Sequence, residues 1–290
     1  MYRSIFCPGL FEGDVIIVTG GGSGIGRCVA HELASLGATV VLVGRTLEKL
    51  ETVAREIRDS GAQAHPYPCN IRDEEAVKAL IAQVVSTHGR VDALVNNAGG
   101  QFPALLKDIS RKGWEAVVQT NLTGGFLMAR ECLNQSMQKN GGAIVNIVAD
   151  MWNGMPGMGH SGAARAGMVN FTETAAFEWA TYGVRVNAVA PGYVASSGLD
   201  SYPPEVRDVI LQAGNNVPLQ RMATEAEISA AIVFLLSEAA SFITGTVLRV
   251  DGGRPNARLG FPLDVQRKVP PFSGFHLARL PKVLQDREPD

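Results

Sequence analysis

The chain has 290 residues, a hydrophobic fraction of 46% and a formal net charge of −2 at pH 7. This length is enough for one large α/β domain with a full hydrophobic core. The nearly balanced charge gives no electrostatic support for a nucleic-acid partner or an anionic membrane, and no apolar run reaches the roughly 18 residues of a membrane span. We therefore expect neither nucleic acid nor a membrane as a partner.

The first predicted element is a short β-branched run that ends in a glycine cluster. Residues 15–18 form the run, and beyond the cluster Ile25, Val29, Leu33 and Leu36 recur at helical spacing. Glycines let the backbone approach phosphates, and the helix N-terminus offers free N–H groups and a positive dipole end. The segment predicts a site for a dinucleotide pyrophosphate, with contacts at Gly20, Gly22, Ser23, Gly24, Ile25 and Gly26.

Strand-like runs and helical patterns then alternate along the chain. The further strands are predicted at residues 40–43, 93–95, 143–148, 185–190 and 246–250. The helices are predicted at residues 24–36, 46–59, 73–88, 111–138, 161–180 and 225–237. Continuous β-branched runs are typical of parallel strands that are covered on both faces. The pattern predicts an α/β fold of one domain, a Rossmann-type doubly wound parallel sheet in three α/β/α layers.

Two terminal segments fall outside this alternation. Residues 1–13 form an N-terminal arm, residues 14–253 the Rossmann domain, and residues 254–290 a C-terminal extension rich in proline and basic residues. We expect the extension to pack against the body or a partner subunit, because it carries the apolar residues Phe261, Leu263, Phe272, Phe275 and Leu277. A cover over the substrate opening is the alternative interpretation.

The cysteines and the N-terminus bear on the compartment. Cys7, Cys28, Cys69 and Cys132 are scattered, with no CxxC pair and no metal-ligand spacing. They are therefore interpreted as reduced thiols, and no metal site is expected. The N-terminus lacks the apolar segment of a signal peptide. A cytoplasmic location is expected.

Short motifs follow the predicted strands in a fixed order. They are Thr19-Gly20 with Gly24 and Gly26, Asn96-Asn97-Ala98-Gly99, Thr120-Asn121-Leu122, Pro191-Gly192 and Val250-Asp251-Gly252-Gly253. Over residues 12–253 this set resembles the short-chain dehydrogenase/reductase family. The resemblance implies a nicotinamide dinucleotide cofactor and a homotetramer or homodimer. It also implies cofactor contacts at Asn70, Ile71, Asn97, Ala98, Gly99, Pro191, Gly192 and Val194.

The chain departs from the family pattern at the catalytic tetrad of Asn, Ser, Tyr and Lys. In the segment that begins at His160, Ser161 stands at the tyrosine position and Arg165 at the lysine position. Ala149 stands at the serine position, and Asn121 is the one member retained. In the family the tyrosine protonates a carbonyl oxygen, and the lysine lowers the tyrosine pKa. A serine is a far weaker acid and a guanidinium stays protonated, so ordinary ketone chemistry is not expected here.

One subgroup of the family lacks this tyrosine. The segment from His160, with Gln101 and Cys69-Asn70-Ile71-Arg72, is similar to the peroxisomal trans-2-enoyl-CoA reductases and the 2,4-dienoyl-CoA reductases. Such enzymes reduce a C=C bond conjugated to a thioester, and hydrogen bonds can hold the enolate oxygen. The resemblance implies NADP(H)-dependent reduction of a 2-enoyl-CoA-like acyl substrate. The implied catalytic residues are Asn121, Ser161 and Arg165, and Arg165 also binds the cofactor ribose.

Other functions stay open. One is an alcohol or aldehyde dehydrogenase of lipid or terpenoid catabolism, in which His160 supplies the proton. Another is a non-catalytic NADP-binding protein, since three of the four tetrad positions are changed. Ser161 itself has two interpretations, a hydrogen-bond donor to a substrate oxygen or a small residue that fills the space of the tyrosine.

The end of the second predicted strand bears on the choice of cofactor. Gly44 stands where an NAD enzyme usually carries an acidic residue, and Arg45 follows it. An arginine suits a 2′-phosphate, which it binds as a charge-assisted fork. We therefore expect NADP(H) rather than NAD(H), with Arg45 on the 2′-phosphate and Arg27 adding positive charge.

Overall fold

The computed structural model describes residues 1–203, 206–256 and 269–285. Its strands are β1 (Val15–Thr19), β2 (Thr39–Gly44), β3 (Gln63–Pro68), β4 (Ala93–Asn96), β5 (Gly142–Ile147), β6 (Val184–Pro191) and β7 (Val247–Val250). They form one parallel sheet in the order β3-β2-β1-β4-β5-β6-β7. The predicted doubly wound sheet is confirmed.

Helices connect the strands on both sides of this sheet. The α-helices of the described residues are α1 (Gly24–Ser35), α2 (Leu47–Asp59), α3 (Glu74–His88), α4 (Arg111–Val118), α5 (Gly124–Cys132), α6 (Gln138–Asn140), α7 (Gly159–Trp179), α8 (Arg207–Gln212), α9 (Glu225–Leu236) and α10 (Lys282–Gln285). Among these described helices, none has the length and apolar character needed to span a membrane.

The alternation of side chains along β1 explains the three layers. Ile16 and Val18 face one core with residues of α1, α2 and α9, whereas Val15 and Ile17 face a second core with residues of α3 and α5. Successive side chains of a strand point to opposite faces, so a run of uniformly apolar residues requires cover on both.

The prediction from sequence missed the outermost strand, β3. This strand contains Pro66 and Pro68, which pair in register with Leu42 and Gly44 of β2. Proline lacks an N–H group and is tolerated at a sheet edge, where one side of the strand needs no ladder partner. The two prolines explain why the sequence pattern did not predict this strand, and its edge position explains why the fold tolerates them.

The helix predicted at residues 111–138 is interrupted twice. A π-helical segment, Gln119–Thr123, separates α4 from α5, and a second one, Leu133–Met137, separates α5 from α6. π-Bulges widen a helix by one residue and are frequent at functional sites. The first of them carries Asn121.

The described parts of the two chain ends pack together over α1. Tyr2 and Phe275 are buried there with Cys28 of α1 and Ala226 of α9. Phe261 and Leu263 of the extension lie outside the described residues. Within residues 269–285, α10 reaches the segment after β6, where the Lys282 N–H donates to Asp200 Oδ1 at 2.7 Å.

The order of the strands reverses between β1 and β4. From β1 the chain continues to β2 on one side of the sheet, and from β4 it continues to β5 on the other side. A crevice opens at such a reversal, outside the carboxyl ends of the strands, and ligands of open α/β sheets bind there. The glycine cluster follows β1, and the Asn97-Ala98-Gly99 segment follows β4.

Candidate active site

Thr19 joins the two loops that flank the crevice. Its hydroxyl accepts the N–H groups of Asn97 at 3.0 Å and Ala98 at 2.9 Å, and donates to the carbonyl of Val95 at 3.2 Å. The Asn97 side-chain amide donates back to the Thr19 carbonyl at 2.9 Å. Thr19 is completely buried. The ends of β1 and β4 are therefore held at a fixed separation.

The glycine cluster makes a turn that side chains would obstruct. Gly20 and Gly24 have φ angles of +67° and +56°, which L side chains rarely adopt. A Cβ on Gly26 would lie 2.5 Å from the Asn97 side-chain nitrogen. Helix α1 begins at Gly24, and Ile25 packs on the core below it. The turn therefore presents bare backbone and a helix N-terminus at the crevice.

A cationic groove continues from this turn across the carboxyl end of β2. Its lining includes Gly20, Gly22, Ser23, Gly44, Arg45, Lys49, Asn70, Ile71, Arg72, Ala98 and Gly99. Three of these described lining residues are cations, and none is an acid. Such a lining suits a ligand with several negative charges.

Arg27 does not belong to this groove. Its guanidinium binds both carboxylate oxygens of Glu56, at 2.8 and 2.9 Å, and donates to the carbonyl of Leu277 at 3.1 Å. The expectation that Arg27 adds charge at the cofactor is wrong, because α2 and the C-terminal segment hold the side chain.

Asn121 lies at the other end of the crevice. Its side-chain amide exchanges two hydrogen bonds of 2.9 Å with the backbone of Gly100, and the residue is 2% exposed. A Cβ on Gly99 would lie 3.1 Å from Asn121 Oδ1 and 2.5 Å from Arg165 Nη2. The π-helical turn, the loop after β4 and α7 therefore meet at Gly99.

The guanidinium of Arg165 is buried against the sheet. Its Nη1 donates to the carbonyl of Ile147 at 2.6 Å, whereas Nε has no hydrogen-bond partner among the described residues. Burial lowers the pKa of Arg165 to about 10, so the group is charged at neutral pH. A buried charged donor without an acceptor fits a ligand hydroxyl or carbonyl.

Ser161 is completely buried in the first turn of α7, and its hydroxyl points at another side chain. Ser161 Oγ donates to Gln101 Oε1 at 2.7 Å, and Gln101 Nε2 donates to the phenol oxygen of Tyr202 at 2.6 Å. Gln101 follows β4, and Tyr202 follows β6. Sequence reasoning placed Gln101 in a motif without a role and missed Tyr202 altogether.

His160 is buried beside Ser161, and its ring contacts the backbone of Ser161 rather than the hydroxyl. Its Nδ1 accepts the backbone N–H of Ser161 at 2.9 Å, so the ring carries its proton on Nε2. Nε2 is buried without a hydrogen-bond partner among the described residues. The rings of Phe102 and His160 pack edge to face, with their centres 4.4 Å apart.

Charged and aromatic side chains form the far rim. Asp150, after β5, pairs with Arg254, and the guanidinium of Arg254 also lies 4.8 Å from the ring centre of Tyr193.

The segment at the end of β6 is closely packed, because a Cβ on Gly192 would lie 2.8 Å from the backbone of Asp251. Pro191 ends β6, and Val194 is buried.

Apolar side chains pack on α7 at the two glycines that flank Ser161 in sequence. Leu106 lies against Gly159, and Met155 lies against Gly162 on the same face of α7. Phe102 and Leu106 are 38% and 67% exposed, so this surface is open to solvent. Flexible Met and exposed Leu side chains suit an apolar chain of variable shape.

Comparisons with known proteins agree with this geometry. A family model described as enoyl-(acyl carrier protein) reductase matches residues 20–254. The 3-oxoacyl-(acyl-carrier-protein) reductase FabG of Thermotoga maritima is 35% identical over 244 residues, which are 83% of this chain and 98% of that protein. The peroxisomal 2,4-dienoyl-CoA reductase of Danio rerio is 35% identical over 256 residues, 87% of this chain and 85% of that protein.

A solved structure is more similar in sequence. The citronellol catabolism dehydrogenase (AtuB) of Pseudomonas aeruginosa is 58% identical, with a TM-score of 0.80. The similarity covers 87% of this chain and 99% of that one.

Proposed function

The chain belongs to the short-chain dehydrogenase/reductase family of oxidoreductases, which bind nicotinamide cofactors, and we propose that it uses NADPH to reduce the C=C bond of a 2-enoyl thioester. The observation that carries the proposal is Ser161, which occupies the first turn of α7 at the position of the family tyrosine. Reduction of a conjugated C=C bond needs donors for an enolate oxygen rather than a phenol at the carbonyl.

The residues of the crevice fit the cofactor. Bare backbone at the glycine turn suits the pyrophosphate, with Gly20, Gly22, Ser23, Gly24, Ile25 and Gly26 around it. The 2′-phosphate is assigned to Arg45, with Lys49 and Arg72 beside it, and the adenine to Asn70 and Ile71. The nicotinamide half is assigned to Asn97, Ala98, Gly99, Arg165, Pro191, Gly192 and Val194. When bound, NADPH supplies the hydride that adds to the β-carbon.

At the reacting end, side chains of this protein would bind and orient the cofactor and the acyl substrate. Arg165 would donate to the ribose through its unpaired Nε, and Asn121 would hold the loop after β4 in position. The apolar surface of Phe102, Leu106 and Met155 beside α7 would receive the acyl chain. The names of both curated relatives refer to acyl groups on CoA or acyl carrier protein, which supports a thioester substrate.

The experiment is NADPH oxidation with a medium-chain trans-2-enoyl-CoA, and with a medium-chain aldehyde in parallel. We expect oxidation with the thioester alone. Ser161→Ala should then lower kcat while the Kd for NADPH is kept. Turnover of the aldehyde without turnover of the thioester would refute the proposal.

A second candidate is oxidoreduction of an acyclic terpenoid alcohol or aldehyde. It is favoured by the 58% identity to the citronellol catabolism dehydrogenase and by the unpaired Nε2 of buried His160. Aldehyde turnover that disappears in His160→Ala would support it. Tight NADPH binding without turnover of either substrate would support a non-catalytic role.

We further propose a cytoplasmic homotetramer or homodimer. Cys7, Cys28, Cys69 and Cys132 are all free thiols, as is usual in a reducing compartment. The exposed faces of α5 and α7 carry Phe126 and Phe177, which are 37% and 85% exposed. Sedimentation of the purified chain measures the oligomeric state.

A further inference from the structure

The hydrogen bond of Ser161 leaves its hydroxyl without a proton for the substrate. The single proton of the Ser161 hydroxyl is donated to Gln101 Oε1 at 2.7 Å, and the side chain is completely buried. A serine hydroxyl is also a much weaker acid than a phenol. Ser161 is therefore not the source of the proton that completes a reduction at this site.

The side-chain amide of Gln101 links Ser161 to a phenol through two hydrogen bonds. Because its carbonyl oxygen accepts from Ser161, its amide nitrogen faces Tyr202 and donates to the phenol oxygen at 2.6 Å. A donor at the phenol oxygen stabilises the negative charge that develops there when the phenol loses its proton. The three side chains come from the loop after β4, the start of α7 and the segment after β6, and these two hydrogen bonds bring them together.

The proton of Tyr202 is free for a substrate. The phenol oxygen accepts from Gln101, and its own O–H points at Met158 Sδ, 4.0 Å away. A thioether is a weak acceptor, so this contact costs little to replace. The other phenol near the rim, Tyr193, lies against the guanidinium of Arg254, which is itself paired with Asp150.

We propose that Tyr202 is the proton donor of the reaction, and that Gln101 and Ser161 are positioning residues that hold its phenol. This inference rests on the proposed reduction of a 2-enoyl thioester. Once hydride has added to the β-carbon, the former C=C electron pair resides in an enolate. The Tyr202 O–H bond breaks, its proton forms the new C–H bond at the α-carbon, and the phenolate takes a proton from water.

The test compares kcat, KM and the NADPH Kd of Tyr202→Phe, Gln101→Met and Tyr182→Phe with the wild type. Tyr202→Phe removes only the hydroxyl, and we expect kcat to fall by roughly a hundredfold or more, with the NADPH Kd unchanged. Gln101→Met fills the same space without the amide and should lower kcat by roughly tenfold while KM is kept. Tyr182, 40% exposed beyond the end of α7, provides the matched phenol control and should be neutral.

The assays with the enoyl-CoA and with the aldehyde distinguish a failure of this inference from a failure of the proposed function. If the wild type reduces the enoyl-CoA and Tyr202→Phe keeps full kcat, the inference is overturned and the proposed function stands. If the wild type turns over only the aldehyde, the proposed function fails, and the same loss in Tyr202→Phe is expected at the carbonyl oxygen. A loss in Tyr193→Phe with activity kept in Tyr202→Phe also overturns the inference, and turnover of neither substrate contradicts both.

Discussion

Three cations line the groove where we propose that the adenosine end of the cofactor binds, and each is exposed at the carboxyl end of β2 or just beyond β3. Arg45 follows β2 directly, Lys49 lies in the first turn of α2, and Arg72 follows β3. In the proposed NADPH complex they stand in place of the single acidic residue that would bind a 2′-hydroxyl. The proposed preference for NADPH therefore rests on individual side chains rather than on the fold.

Arg45→Ala tests this assignment. The Kd for NADPH should rise by roughly ten- to a hundredfold, because a charge-assisted hydrogen bond to phosphate is lost, while the Kd for NADH should not change. Fluorescence titration of both cofactors measures the two constants. Arg55→Ala, an exposed change on the same α2, is the control. An equal loss for NADH would contradict a 2′-phosphate contact.

We expect Glu225 to make cofactor binding sensitive to pH. Burial raises the pKa of its carboxyl to about 7, although Arg27 and the backbone N–H of Ser197 favour the ionised form. The carboxyl lies 3.9 Å from the position of a Cβ on Gly24, in the turn assigned to the pyrophosphate. Glu225 is neutral below that pKa and negative above it, so a rise in pH brings a carboxylate beside the phosphates.

We therefore expect the Kd for NADPH to rise by roughly tenfold between about pH 6 and pH 8, which corresponds to a repulsion of about 1.4 kcal/mol. Glu225→Gln should bind with the same affinity at both ends of this range. Calorimetric titration at several pH values is the measurement. A pH dependence that survives in the glutamine variant would show that another group is responsible.

At the scale of elements, the site depends on the contact between α7, the π-helical turn and the loop after β4. Gly99 is the point of closest approach, with Arg165 on one side and Asn121 on the other. The guanidinium cannot retreat freely, because it is bound to the Ile147 carbonyl. The next residue, Gly100, has nothing within 4 Å of the position of its Cβ.

Gly99→Ala and Gly100→Ala form a matched pair. The first should displace Arg165 and weaken NADPH binding by roughly tenfold or more, because a 2.5 Å contact requires the guanidinium to move. The second should behave as the wild type in the same fluorescence titration. Equal affinities in the two variants would show that Arg165 does not contribute to the cofactor site.

The elements were predicted well from sequence where apolar residues recur at a regular spacing. Helix α1 begins at Gly24 as predicted, and six strands lie within about a residue or two of the expected ends. The π-helical turns were not predicted, because inserting one residue into a helix leaves the apolar pattern almost unchanged. The edge strand β3 was hidden by Pro66 and Pro68.

The candidate site was predictable only in part for a related reason. Motifs identify residues that follow a strand at a fixed spacing, as with Asn97 or Arg45. The hydrogen bonds of Gln101 to Ser161 and Tyr202 span 60 and 101 residues, and no spacing links three residues on different loops. The pairing of Arg27 with Glu56 depends in the same way on the packing of α1 against α2.

At the scale of the whole molecule, the N-terminal arm and the described part of the C-terminal extension pack together over α1 and α9. Phe275 is 4% exposed, with ring centres of Tyr2 and His31 at 5.8 and 5.1 Å and the Arg27 guanidinium at 4.9 Å. The N-terminal arm and the segment of residues 269–285 thus share one small core.

Phe275→Ala should lower the free energy of unfolding by about 3–5 kcal/mol, because it empties this core. Urea unfolding followed by fluorescence measures the change. Leu280→Ala, in the same segment but 61% exposed, should change it by less than about 0.5 kcal/mol. Similar values for both variants would mean that the segment contributes little to the stability of the folded chain.

The central claim is that NADPH bound in this crevice transfers hydride to a C=C bond. It is tested most directly by reducing a medium-chain trans-2-enoyl-CoA with NADPH deuterated at C4 and locating the deuterium in the product by NMR. We predict a saturated acyl-CoA that carries the deuterium at its β-carbon. An unreduced thioester, together with an alcohol that carries deuterium at the former carbonyl carbon of the parallel aldehyde, would contradict the account.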